Sequence, residues 1–72
     1  PMDELVDKKA EIARLSKERE TAAKQLAQAE GKLNNPGFMG KAPANVVEGV
    51  RAQAAKLSEK IALIDSSIQA LQ

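Results

Sequence analysis

The sequence contains no cysteine, histidine, tryptophan or tyrosine, and Phe38 is its one aromatic residue. Without cysteine and histidine, disulfide bonds, thiolate chemistry, the usual zinc sites and the common nucleophile–base pairs of enzymes are excluded. The four glycines match neither a phosphate-binding loop nor a dinucleotide fingerprint. The sequence therefore predicts a chain with no catalytic residues, no metal ligands and no cofactor of its own.

Long apolar runs are also missing, because no stretch approaches the roughly 20 residues that span a bilayer. The N-terminal stretch does not have the pattern of a secretion signal. We therefore expect no membrane partner, and the absence of cysteine fits a cytoplasmic protein. The net charge is only +1, so the overall basic footprint of many nucleic-acid-binding proteins is absent. Near the middle of the chain, however, Lys32, Lys41 and Arg51 outnumber Glu30 and Glu48 and make this segment mildly basic.

Two apolar stripes, in which residues recur alternately every three and four positions, are the main positive feature. The first consists of Leu5, Ile12, Leu15, Ala22, Leu26, Ala29 and Leu33, with Lys8 and Arg19 in the remaining positions. The second consists of Val47, Val50, Ala54, Leu57, Ile61, Ile64, Ile68 and Leu71. This spacing is typical of helices that pack along a narrow seam. Between them Pro36 disfavours helical geometry at Asn35, and Gly37 readily adopts a positive φ, so the chain is expected to turn back.

The pattern predicts an all-α fold, an antiparallel two-helix coiled-coil hairpin that forms one arm over residues 1–72. We expect one helix over residues 3–33 and another over residues 44–71, joined by a tip loop at residues 34–43. Asp3 is the predicted N-cap of the first helix, and Pro43 suits the first turn of the second. Gly31 and Gly49 are the weak points inside the helices, since glycine has a low helix propensity.

An antiparallel register in which the numbers of facing residues add up to 79 or 80 keeps the seam filled. The pairs are Leu33 with Val47, Ala29 with Val50, Leu26 with Ala54, Ala22 with Leu57, Arg19 with Ile61, Leu15 with Ile64 and Ile12 with Ile68. A parallel homodimer would set alanine against alanine and leave gaps. We interpret Lys8 and Arg19 as side chains whose stems cover the seam while their charges reach water. The alternative, a buried charge that specifies the register, fits an exposed seam less well.

The connector is longer than a simple chain reversal requires, and it contains the one aromatic ring. Phe38 has three open roles: it packs inward, it stacks outward on a base, or it shapes the loop so that the basic groups project. The inward partners would be Leu33, Val46 and Val47. In the outward role, Lys32, Lys41 and Arg51 would hold phosphates.

The segment 32–48 closely resembles the tip of the C-terminal coiled-coil arm of bacterial valyl-tRNA synthetases. The shared pattern is K-L-x-N-x-x-F-x-x-K-A-P-x-x-V-V followed by a basic residue. The matching positions are Lys32, Leu33, Asn35, Phe38, Lys41, Ala42, Pro43, Val46, Val47 and Arg51. The family usually has a charged pair where this chain has Gly49 and Val50, which removes charge contacts at the start of the second helix.

The resemblance implies that the arm leans against the outer corner of a valine-specific tRNA, where the D and T loops meet. It makes Lys32, Asn35, Phe38, Lys41 and Arg51 the candidate RNA-binding residues. It also implies that ATP-dependent valine activation, aminoacyl transfer and editing are carried out by other domains of such an enzyme.

An alternative from a different class remains open at this point. The near-neutral charge also fits a structural or oligomerising coiled-coil hairpin, such as a spacer, that docks a protein partner. The C-terminal hairpin of a ribosome-associated ATPase is a related variant of this alternative. Because two packed helices leave half of each helix bare, homo-association of the arm is also compatible with the sequence.

Overall fold

The computed structural model describes the backbone of residues 2–72 and the side chains of residues 5–72. The described chain forms α1 (Met2–Leu33), α2 (Pro36–Lys41) and α3 (Ala44–Leu71). The two long helices pack against each other as a hairpin, which confirms the predicted all-α architecture. The predicted N-cap role of Asp3 concerns a side chain outside the described residues.

The core of the hairpin is a single seam between α1 and α3. Its buried apolar residues all lie on the two predicted stripes, and they are Leu15, Ala22, Ala29, Leu57 and Ile64. The molecule measures 58 × 14 × 13 Å along its principal axes, so it is a thin rod with one closed end. None of the described helices has an apolar stretch long enough to cross a membrane.

The two prolines of the connector mark the limits of α2. Asn35 precedes Pro36 and has an extended backbone (φ −91°, ψ 112°), and Ala42 precedes Pro43 with φ −72° and ψ 139°. The proline ring clashes with a helical conformation of the residue before it, so each of these positions is forced into the extended region. The connector is therefore divided into a break, a short helix and a second break.

The structure differs from the predicted tip loop, because six residues of that segment, Pro36–Lys41, form a helix. Asn35 caps this helix: its side-chain oxygen accepts hydrogen bonds from the backbone N–H groups of Gly37 at 2.9 Å and Phe38 at 3.3 Å. Pro36 occupies the first turn, where its missing N–H leaves no bond unmade. The positive φ expected at Gly37 is also not found, because Gly37 lies inside α2 and no described glycine has a positive φ.

Pro43 lies one residue before the helix in which it was expected. Its φ of −61° and ψ of 154° make it the N-cap of α3, which begins at Ala44. With no capping side chain, the carbonyl oxygen of Pro43 accepts hydrogen bonds from the N–H groups of Val46 at 3.0 Å and Val47 at 3.1 Å. The chain therefore enters α3 directly from the extended Ala42-Pro43 pair.

Among the side chains of residues 5–72, an ion pair between Arg19 and Asp65 joins the two long helices. The Nε of Arg19 donates to Oδ1 of Asp65 at 2.5 Å, and about half of each side chain is exposed. The guanidinium therefore reaches water, as predicted for this interruption of the stripe, and it also bonds to the opposite helix. Asp65 follows Ile61, the predicted neighbour of Arg19, by one helical turn, a distance that a long arginine side chain spans.

Candidate nucleic-acid interface at the tip

Three exposed cations surround the closed end of the hairpin. Lys32 lies in the last turn of α1 and Lys41 in the last turn of α2, while Arg51 lies in the second turn of α3. The side chains of all three are exposed. Cations are favourable at the carboxyl ends of helices, because the helix dipole is negative there. Both lysines therefore occupy electrostatically favourable positions.

Asn35 and Phe38, the two uncharged candidates, are held by α2. The carboxamide oxygen of Asn35 is committed to the cap of α2, which leaves its NH₂ group as the side-chain donor available to a ligand. Phe38 is half-buried, so the residue is neither fully packed inside the tip nor fully open to solvent. Of its expected apolar neighbours, Leu33 and Val47 are half-buried, whereas Val46 is 42% exposed.

The tip cations differ from the arginines of the arm in their electrostatic partners. Arg14 pairs with Glu11 and Glu18, and Arg19 pairs with Asp65. The hydrogen bond to Glu11 raises the pKa of Arg14, and the hydrogen bond to Asp65 raises the pKa of Arg19.

Within the part of the chain that the structure describes, Lys32, Lys41 and Arg51 take part in none of the ion pairs. Their charges are therefore available to an anionic partner. Salt weakens the attraction between an exposed cation and a phosphate, so any RNA binding at these residues is expected to weaken as salt is added.

The three cations do not all lie on the same side of the hairpin. Lys32 lines a shallow cavity of about 180 Å³ between α1 and α3, which we call the glutamine groove. Its lining residues are Gln25, Gln28, Ala29, Lys32, Val50 and Gln53. Arg51 is not part of this lining, and it lies two positions from Gln53, a separation that places side chains on different faces of a helix. The structure therefore brings Lys32 together with the glutamines and separates it from Arg51.

Sequence reasoning missed two features of this region. The Asn35-Pro36 pair ends α1, but Asn at an N-cap and Pro in the first turn also predict the start of a new helix. The glutamine groove had no detectable signal, because glutamines beside an apolar stripe have the same pattern as a solvated helix face. Among the residues whose side chains are described, no cluster of carboxylates is placed to hold a metal ion.

The chain is similar to known proteins over nearly its whole length. A family model described as the valyl-tRNA synthetase tRNA binding arm matches residues 7–72. A valine--tRNA ligase of Acinetobacter baylyi is 42% identical over 69 residues, which are 96% of this chain and 7% of the ligase. That of Listeria innocua is 43% identical over 72 residues, 100% of this chain and 8% of the ligase. That of Chromobacterium violaceum is 48% identical over 56 residues, 78% of this chain and 6% of the ligase. No solved structure matches.

Proposed function

The chain belongs to the valyl-tRNA synthetase tRNA-binding-arm family, and from that premise we propose that its tip contacts the outer corner of a tRNA. This corner is the place where the D and T loops meet. The observation that carries the proposal is the set of exposed cations at the tip, Lys32, Lys41 and Arg51, which the described residues leave without an ion-pair partner.

The shape of the arm supports a contact at a distance. α1 has 32 residues, which corresponds to a length of about 48 Å, and the whole rod is only 14 Å by 13 Å across. Such an arm reaches a remote part of a large RNA while covering little of its surface. Because the tip offers few charges and a single ring, we expect it to recognise the shape and backbone of the RNA rather than its sequence.

The candidate residues have three kinds of role in this proposal. Lys32, Lys41 and Arg51 bind phosphates, with Lys41 projecting from the end of α2. Asn35 fixes α2 through its oxygen and offers its NH₂ group to the RNA. The accessible part of Phe38 provides an apolar surface against a ribose or a base.

The chain spans less than a tenth of the length of the ligases that it matches. We propose that it serves a cytoplasmic enzyme of that kind, which attaches valine to its tRNA with ATP bound at a site outside this arm. The arm then contributes to holding the tRNA and performs no chemistry. The alternative of a structural hairpin that docks a protein partner is not favoured, because each relative reported above is a valine--tRNA ligase.

The proposal is tested by titrating isotope-labelled chain with valine tRNA and following the backbone amide NMR signals. We expect signals of the tip to shift with intact tRNA and to shift far less with an isolated anticodon stem-loop, which has no outer corner. Lys41→Glu is expected to weaken binding and to reduce the salt dependence, by about 0.9 in the slope of log K against log salt for the lost phosphate contact.

Lys60→Glu is the matched control, because it makes the same charge change at an exposed position in the middle of α3. It is expected to bind nearly as well as the unmodified chain. Equal shifts with both RNAs, or equal weakening by both substitutions, would contradict a contact between the tip and the tRNA corner.

A further inference from the structure

The glutamine groove is formed by side chains that share one face on each long helix. Gln25, Gln28 and Lys32 lie three and four positions apart on α1 and therefore follow the same face of that helix. Gln53 faces them from α3. The floor is the seam itself, where Ala29 is 4% exposed and Val50 is half-buried. Alanine is too short to fill the space between the flanking side chains, and this produces the depression.

The groove begins at the tip and continues down the arm. Lys32, its upper end, is the residue before the last of α1, and Gln25 lies seven positions away, which is about 10 Å along the helix axis. The volume of about 180 Å³ is below the roughly 300 to 1,000 Å³ typical of sites that enclose a drug-sized molecule. The groove therefore suits the edge of a larger partner rather than a free cofactor.

The chemistry of the lining selects an anionic, hydrogen-bonding partner. Glutamine side chains both donate and accept hydrogen bonds, and Lys32 adds a positive charge. No carboxylate lines the groove. Another cavity, at the open end of the arm, is lined by Asp7, Lys8, Glu11 and Leu71, so it presents two carboxylates that would repel a phosphate. The two cavities thus differ in the charge of the partner that they can accept.

We propose that the glutamine groove binds the ribose–phosphate backbone of the RNA strand that continues from the tip along the arm. This inference rests on the proposed function and extends its contact surface from the tip to one side of α1 and α3. Lys32 binds a phosphate, and the glutamine amides bond to phosphate oxygens and to the 2′-hydroxyl, which both donates and accepts. Contacts of this kind position an RNA without reading its bases.

The side-chain NH₂ groups of Gln25, Gln28 and Gln53 give separate NMR signals and report directly on the groove. We expect these signals to shift when the labelled chain is titrated with valine tRNA. The side-chain signal of Gln69, an exposed glutamine near the end of α3, serves as the internal control and is expected not to move.

A substitution tests whether the contact contributes to affinity. Gln53→Glu places a carboxylate beside the proposed phosphate, and we expect binding to weaken about fivefold at low salt, the effect of two like charges about 4 Å apart in water. Gln69→Glu makes the same change outside the groove and is expected to leave affinity unchanged. Both positions are exposed on α3, and circular dichroism verifies that both variants keep the helicity of the unmodified chain.

The outcomes separate this inference from the function on which it rests. If tip amides shift while the groove glutamines do not, and Gln53→Glu binds like Gln69→Glu, the groove does not bind RNA and the tip contact stands. If the groove glutamines shift while the tip amides remain unmoved, the groove binds RNA and the tip proposal is wrong. If no signal shifts, both proposals are overturned.

Discussion

The seam makes a sharp prediction at its tightest point. Ala22 is 1% exposed, and Leu57, which the predicted register sets opposite it, is 8% exposed. Ala22→Leu forces three more carbon atoms into a filled seam, which costs about 1 to 3 kcal/mol of unfolding free energy. Leu57→Ala leaves a cavity and costs about 2 to 5 kcal/mol. Since the core of a domain of this size rarely contributes more than roughly 3 to 5 kcal/mol, either change alone removes a substantial part of the free energy of unfolding.

The double variant Ala22→Leu with Leu57→Ala exchanges the large and small residues across the seam and conserves the volume. If the two residues face each other, the exchange recovers at least about 1 kcal/mol relative to the sum of the single effects. Urea unfolding followed by circular dichroism measures all three variants. The midpoint is expected to be the same at two protein concentrations, because folding of a hairpin is intramolecular, whereas a concentration-dependent midpoint would indicate association of copies.

A matched control combines Ala22→Leu with Ile64→Ala. Ile64 is also buried, at 6% exposure, but it lies seven residues from Leu57, about 10 Å along α3. The two effects should therefore add within about 0.5 kcal/mol. If the Leu57 exchange were as unstable as the sum of its parts, or if the Ile64 combination showed the recovery instead, the register in which Ala22 faces Leu57 would be refuted.

Three further predictions concern the tip and the ion pair between the helices. Gly49→Ala is expected to stabilise the chain by about 0.5 to 1 kcal/mol, because a Cβ at this position meets nothing within 4 Å. Gly37→Ala is expected to stabilise it less, because its Cβ would lie 3.2 Å from Oδ1 of Asn35. Thermal unfolding of the two variants measures the difference. Asn35→Ala should destabilise α2 by about 1 kcal/mol, seen as faster hydrogen exchange of tip amides while those of the arm are unchanged. Asp65→Asn should lower the melting temperature, and by less in high salt, whereas in an Arg19→Gln background it should have little effect. The hydrogen bond to Asp65 raises the pKa of Arg19, so the contribution of the guanidinium is complete below its unfolded pKa and is lost only as the pH rises through the higher folded value.

The seam of the hairpin was predictable because its signal is repeated many times along the chain. Every buried residue among residues 5–72 lies on a stripe with helical spacing, and each turn of helix repeats the same information. The ion pair between Arg19 and Asp65 was harder to predict, because the register places Arg19 opposite Ile61. The spacing of the stripes does not indicate that the arginine side chain reaches one turn further along α3. Periodicity thus predicts which helix faces meet and leaves the partners of long polar side chains undetermined.

The tip was not predictable to the same degree, because a helix of six residues is too short to show a period. Its only signals were local, and the Asn35-Pro36 pair supports both the end of one helix and the start of the next. The glutamine groove depends on the separation of α1 and α3, which no single segment of sequence contains. Features that arise from the spacing between helices required the structure.

If the tip binds RNA as proposed, its capped helix explains how so few charges suffice. The extended conformations at Asn35 and Ala42 and the two hydrogen bonds to the Asn35 side chain fix the direction of α2. The cap thereby fixes the backbone that carries Lys41, in the last turn of that helix, so the proposed RNA contact requires less ordering of the main chain. Arg14 and Arg19 of the arm are paired with its own carboxylates, and the net charge of the whole chain is only +1, so the molecule exerts little long-range attraction on an RNA. The proposed tip contact then depends on the geometry of α2, and loss of the α2 cap is expected to weaken RNA binding even though it removes no charge.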